Sequence, residues 1–365
     1  MIGTNIHPII QREVTVLMIT NAIVSDGPYQ KATTTCHIGT DLFYHSLSTF
    51  VKSMSESPPL VSVVLPTYNR SSTLGRAIDS VLDQTFANFE LIIVDDGSTD
   101  DTTDVLDAYT DPRIRIIKHK NSKGGSAARN TGISESRGKH IAFIDSDDKW
   151  IESKLERQLK QIESCTNISA VYTGYYKNHS GYRELGHIPK HGGNIFEAQL
   201  ARDRVNPTST VLVKSECFDA VGKFDESLDA RQDYEMWLRI SKEFNFGYIK
   251  DPLVIMYEGE NRITNNIDDR IQSTLDIIDK YSMSINNLSE SEKRDALATQ
   301  YFSLGRYCQK QRDFTKARLF LTKSLKNCPL YIKAWIVLFS CIVRYDMNDE
   351  NFVKVKNTVR ERSPL

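Results

Sequence analysis

Residues 141–148 read Ile-Ala-Phe-Ile-Asp-Ser-Asp-Asp, four apolar residues running straight into three carboxylates. Asp145, Asp147 and Asp148 repel one another unless a cation joins them. Their hard oxygens suit Mg²⁺ or Mn²⁺, shared with substrate phosphates. An isolated D-x-D-D is as readily an acidic turn whose aspartates cap the next helix. What decides between these is the company the stretch keeps. Leu60–Leu65 is a second apolar run, ending in Pro66-Thr67-Tyr68-Asn69-Arg70. Phe89–Val94 is a third, ending in Asp95-Asp96-Gly97-Ser98. Asn121-Ser-Lys-Gly-Gly-Ser-Ala-Ala-Arg-Asn130 is a Gly-rich entry into a helix. Exposed N–H groups at such a start, beside Gly124, Lys123 and Arg129, suit an anionic diphosphate.

These groups meet only if the elements between them fold as a layered sheet. Continuous apolar runs of four to six residues are strands buried on both faces. Between them, Leu74, Ala77, Ile78, Val81 and Leu82 recur at helical spacing, with Ser71 or Ser72 as cap. A second helix runs through Val105, Leu106 and Tyr109, with Ser98 or Thr99 as its cap. Asp111-Pro112 then turns into strand Ile114–Ile117, and Gly138 ends the next helix. Pro66 is expected to stop the first strand, leaving 66–70 as a loop. Strand and helix alternating through short connections predict an α/β fold with a doubly wound, mostly parallel sheet. Ligands bind such sheets beyond the carboxyl ends of the strands. The P-loop and G-x-G-x-x-G patterns are absent, which argues against an ATPase or an NAD enzyme.

Val61-Ser-Val-Val-Leu-Pro-Thr-Tyr-Asn-Arg70, Val94-Asp-Asp-Gly-Ser98, Ala127-Ala-Arg-Asn130 and Phe143-Ile-Asp-Ser-Asp-Asp148 come in one order and spacing. Together they resemble the family 2 glycosyltransferases, of GT-A fold, over residues 58–260. The resemblance implies a nucleotide-sugar donor, uracil being the expected base, and inversion at the anomeric carbon. The acceptor would be a hydroxyl of a glycan, lipid-linked or protein substrate. Pro66, Thr67 and Tyr68 would line the base and ribose pocket. Asp96 would accept from the nucleobase edge, with Asp95 beside it. Asn69, Gly124, Arg129 and Ser146 would complete the donor site. Asp145 and Asp147 would form the D-x-D element at ribose and metal, with Asp148 a further ligand of Mn²⁺ or Mg²⁺.

A single displacement also needs a base opposite the leaving group. Asp233 shares a helical row with Trp237, in Leu228-Asp-Ala-Arg-Gln-Asp-Tyr-Glu-Met-Trp-Leu-Arg239. The plainer reading is a helix cap. The family reads Glu-Asp here with the Asp as base, and this chain has Gln232-Asp233. Glu235 is the weaker candidate. Where relatives place a His or Arg beside the diphosphate, only Arg262 stands in.

The remainder bounds the reading. The 365 residues allow two or three domains. A net charge of -1 gives no nucleic-acid coat or polybasic anchor. The six scattered cysteines fit reduced thiols in a cytoplasmic protein. No apolar run approaches the ~20 residues of a membrane span, so any membrane contact would be peripheral, at the inner face. Residues 1–57 read as a poorly structured extension, with Met54 a candidate natural start. A catalytic domain over 58–260 and a connecting helix over 261–290 follow. His179, His187 and His191 fall in an expected loop over 179–193, without metal-ligand spacing. Asn206-Pro-Thr-Ser-Thr210 is similar to the family's acceptor-side segment. Over 291–365, Tyr301, Leu304, Gly305, Ala317, Leu321, Ser324 and Pro329 fall at tetratricopeptide spacing. That segment would bind a protein partner, self-associate, or simply cover an apolar face. Two competing classes remain: an inactive GT-A domain that binds through its helical tail, and, less well supported, a nucleotidyltransferase.

Overall fold

The computed structural model describes residues 58–179, 181–257 and 266–342. The 1–57 extension with Met54, Arg262 and residues 343–365 lie outside the described residues. The first half alternates as its apolar runs require. In order come β1 (Val61–Thr67), α1 (Leu74–Leu82), β2 (Phe89–Asp95), α2 (Thr102–Asp107), β3 (Ile114–Lys118), α3 (Gly125–Glu135) and β4 (His140–Phe143). The chain continues through β5 (Lys149–Trp150), α4 (Lys154–Ser164), β6 (Ala170–His179), β7 (Tyr182–His187) and α5 (Phe196–Ala201). Then come β8 (Val211–Lys214), α6 (Glu216–Val221), α7 (Gln232–Glu243) and β9 (Phe246–Tyr257). The described chain ends in helices α8 (Ile267–Lys280), α9 (Ser282–Asn286), α10 (Glu290–Lys310), α11 (Phe314–Asn327) and α12 (Ile332–Ile342).

The sheet runs β3-β2-β1-β4-β8-β6-β9-β5, with β7 paired to β6. β3, β2, β1 and β4 are mutually parallel, and β8 enters antiparallel between β4 and β6. Both faces are covered. Val61, Val63 and Leu65 pack with Leu74, Ile78 and Val81 of α1 and with Leu155 and Leu159 of α4. Val64 turns the other way, to Ile133 of α3 and to Met236, Trp237 and Ile240 of α7. Alternate β1 residues serve opposite layers because a strand has a period of two. α3 lies hard on β1 at Gly132, where an added Cβ would stand 2.3 Å from Val64 Cγ1.

Three expectations are corrected. Pro66 does not end β1. It pairs with Val94, and Thr67 with Asp95. β4 leaves β1 after Val64, so that flank is open, and a proline lacking N–H costs no ladder bond there. Residues 179–193 are not simply a loop, because β7 forms a hairpin arm on β6. Its residues from Tyr182 to Leu185 are exposed, so they carry no burial pattern to read. The caps also differ: α1 starts after Thr73 and α2 after Asp101, neither with a side-chain cap bond.

The C-terminal helices pack onto the sheet domain. Ile277 of α8, Tyr281 at its C-terminal cap and Ile285 of α9 share a core with Leu200, Leu228, Tyr234 and Leu238. α10 and α11 close tightly where Gly305 meets Leu321, an added Cβ lying 2.6 Å from its Cγ. No described helix is long and apolar enough to cross a membrane.

Candidate active site

A cavity of about 380 Å³ opens at the carboxyl ends of β1, β2 and β4. Pro66, Thr67 and Tyr68 enter it from β1 and Asp96 from β2. Gly124 and Arg129 come from the start of α3, and Asp145, Ser146, Asp147 and Asp148 follow β4. These ten expected residues are brought together. Asn69, Asp95 and Asp233 are not among the lining residues.

Asn69 acts on the loops instead. At φ 52°, its Oδ1 accepts from Thr99 N (2.7 Å) and Asp100 N (3.3 Å), while its own N–H donates to Ser98 Oγ (2.9 Å). Asp95 Oδ1 accepts from Ser98 N (2.9 Å). Both residues therefore fix the two loops that frame the cavity. Ser98 is spent here rather than capping α2.

Asp96 faces the cavity but its oxygens are already engaged. They accept from Ser122 Oγ (2.7 Å), Lys123 N (3.0 Å) and Gly124 N (2.8 Å), and His119 Nδ1 lies 2.6 Å away. Burial pushes this carboxyl up, but the Lys123 N–H, His119, Ser122 and Gly124 N–H outweigh it and hold it below its ordinary range. Asp96 thus shapes the loop over 119–124 that leads into α3. Contact with a nucleobase would have to share these bonds.

The start of α3 supplies the cationic side. Arg129 Nη2 donates to Asp145 Oδ1 (2.6 Å). Arg129 Nε and Thr67 Oγ1 are buried without a hydrogen-bond partner among the described residues. Buried polar groups are ordinarily satisfied, and both of these belong to residues that line the cavity.

The Asp145–Asp148 turn is held from outside. Asp145 N donates to Ser209 Oγ (3.0 Å), which donates to Asp148 Oδ2 (2.5 Å). Ser209 is fully buried, and Trp150 Nε1 donates to its carbonyl (2.9 Å). Arg76 of α1 donates to Asp147 O (2.5 Å) and lies 3.5 Å over the Tyr257 ring. Sequence reasoning missed Arg76 and did not single out Ser209, since each acts through partners more than sixty positions away.

The carboxylates offer the hard oxygens a divalent cation takes, yet they form no closed cage. Among the described residues no three His, Cys, Asp or Glu side chains gather as a metal site, the three histidines of 179–191 included. Mg²⁺ and Mn²⁺ need less with nucleotides: one or two carboxylates, the rest being phosphate and water. Asp145, Asp147 and Asp148 fit that open arrangement.

Asp233 stands just behind the wall. Its neighbour Gln232 lines the cavity, as do Asp229 and Pro207. Thr208 Oγ1 lies 3.4 Å from Asp233 Oδ2, and Oδ1 accepts from Tyr234 N (2.8 Å). Asp203 lies close, its carboxyl pushed up by burial and then by the Asp233 charge. Glu235 is fully buried against Arg239 and Lys280, so the weaker base candidate is a structural ion pair.

Residues 62–215 match the model of the family described as Glycosyl transferase family 2. The chain is 34% identical over 190 residues to WfgD of Escherichia coli, a UDP-Glc:alpha-D-GlcNAc-diphosphoundecaprenol beta-1,3-glucosyltransferase, covering 52% of this chain and 73% of that one. It is 31% identical over 217 residues to TuaG of Bacillus subtilis, a putative teichuronic acid biosynthesis glycosyltransferase, covering 58% and 82%. A Rickettsia felis protein, named only as an uncharacterized glycosyltransferase, is 39% identical over 196 residues, covering 53% of this chain. The chain spans only 32% of that relative's length, and 38% of a Rickettsia conorii one. Among solved structures, S. aureus TarS 1-349 superposes with a TM-score of 0.54 at 16% identity, covering 83% of this chain and 92% of that one. That likeness speaks to the fold.

Proposed function

Because this chain belongs to glycosyl transferase family 2, we propose that it moves a sugar from a nucleotide-diphosphate donor to an acceptor hydroxyl, with inversion. The observation that carries the reading is the convergence on one cavity of the Asp145–Asp148 turn, Arg129 and the start of α3. A departing nucleoside diphosphate gains negative charge, and this wall offers N–H groups and a guanidinium to receive it. One or two of Asp145, Asp147 and Asp148, with the donor phosphates and water, would hold Mn²⁺ or Mg²⁺. When bound, that ion stabilises charge on the leaving diphosphate.

Tyr68, Pro66 and Thr67 bound the side expected to take base and ribose. Asp233 takes the proton from the acceptor hydroxyl. Gln232, Asp229 and Pro207, which line the cavity next to Asp233, would border the acceptor in this reading. The donor of WfgD, UDP-Glc, supports a UDP-sugar, and its diphosphoundecaprenol-linked acceptor supports a lipid-linked glycan.

The test is a transfer assay with UDP-glucose, Mn²⁺ and an alkyl diphosphate carrying α-linked N-acetylglucosamine, the product read by NMR. An axial donor bond should yield an equatorial, β-linked product. An α-linked product would refute inversion. Failure to cleave any UDP-, GDP- or TDP-sugar would refute the reading as a whole.

A further inference from the structure

The first turn of α7 is entered through an unusual residue. Arg231, its N-cap, sits at φ 58° in the left-handed region, which an L side chain keeps only when its surroundings hold it. The holders come from the C-terminal helices. Arg231 Nη1 donates to Thr274 Oγ1 of α8 (3.2 Å) and to Gln300 Oε1 of α10 (2.9 Å). Gln300 Nε2 donates in turn to Tyr234 Oη (2.7 Å) and Leu200 O (3.0 Å). The Arg231 guanidinium lies 4.0 Å over the Tyr234 ring. Ala230 N donates to Ser273 Oγ of α8 (3.2 Å).

One buried amide therefore grips Arg231 and Tyr234, the residues on either side of Gln232 and Asp233. Gln300 is 5% exposed, and both ends of its amide are committed. An apolar side chain would fill the same space without fixing an orientation, whereas a satisfied buried polar network fixes one. Charges complete the surroundings: Arg231, Arg270 and Asp203 all act electrostatically around Asp233.

We propose that Gln300 is a positioning residue for Asp233, fixing where α7 begins and so where the Asp233 carboxylate points. The C-terminal helices are then part of the transferase machinery rather than an appendage to it. This rests on the role given to Asp233 above. Without the grip, Arg231 relaxes out of its left-handed conformation and carries the first turn of α7 with it.

The experiment compares the full chain with Gln300→Leu, which loses all three bonds, and Gln300→Glu, whose carboxylate still accepts from Arg231 but cannot donate to Leu200 O. Two readouts are taken: transfer from UDP-glucose to the alkyl diphosphate acceptor, and amide hydrogen exchange over 232–236. Gln300→Leu should lower kcat at least tenfold, leave KM for UDP-glucose within twofold, and speed exchange over 232–236. Gln300→Glu, which keeps the Arg231 bond alone, should recover part of kcat and lie between Gln300→Leu and the unaltered chain. Unchanged kcat and exchange would overturn the proposal. So would a loss of kcat and donor affinity together, in step with Tm, because that marks a merely structural role. If the unaltered chain transfers no sugar, the functional reading fails, and the exchange measurement still decides whether Gln300 orders the turn.

Discussion

At the scale of single residues, groups that do chemistry differ from the groups that hold them. Asp233→Asn removes the proton acceptor and should lower kcat about 10²- to 10⁴-fold; Asp147→Asn removes a carboxylate that would hold the cation and should also lower kcat; neither should change Tm much. Full activity in either would remove that residue from the mechanism. Asp96 is different in kind. Its carboxylate gathers His119, Ser122 and the Lys123 and Gly124 amides. Asp96→Asn leaves donors facing a donor, at a cost of about 1–3 kcal/mol. A lowered Tm together with weakened UDP binding is expected, and an unchanged Tm would contradict the role. The sequence showed that Asp95 and Asp96 stand at a strand end. It could not show that one turns to Ser98 while the other ties down a loop, because the partners of Asp96 lie between 23 and 28 positions away.

At the scale of elements, periodicity was the most legible signal. The apolar runs became β1, β2 and β4, and the strand ends met at one edge as a parallel sheet demands. Boundaries were less legible wherever a tertiary neighbour decided them. Pro66 remains in β1 only because β4 has already left its open flank. β7 was hidden because a strand exposed along most of its length shows no alternation. The C-terminal helical hairpin was legible from small residues: Gly305 sits where α10 and α11 touch. Gly305→Ala must displace Leu321, and overpacking of this kind costs about 1–3 kcal/mol. A fall in Tm checks it, and a neutral result would mean that the two helices separate freely. The periodicity of Ile271, Leu275 and Ile278 suggested that α8 packs back on the sheet domain, but the polar grip on α7 had no signature in the sequence, since Arg231, Thr274 and Gln300 are brought together only by the fold.

At the scale of the whole molecule, pH and ligand act on one folded unit over the described residues. His140 in β4 is buried, and burial, with Lys214 and Lys139 nearby, pushes its imidazole down to about 4. An unfolded chain takes up that proton near pH 6.5, the folded one only near pH 4. Its contribution is therefore present above pH 6.5 and is lost as pH falls through that window. Stability measured by urea unfolding should decline from pH 6.5 to 4, and His140→Gln should flatten that decline; an equal slope in both proteins would refute it. The central claim, however, is the donor site. A ligand that binds only the native state raises stability by mass action. The most direct measurement is a thermal-shift series of UDP, GDP, TDP and CDP with the full chain, each with Mn²⁺ and with EDTA. A rise in Tm with UDP that needs Mn²⁺ and disappears in Asp147→Asn is expected. No shift with any nucleotide would contradict it.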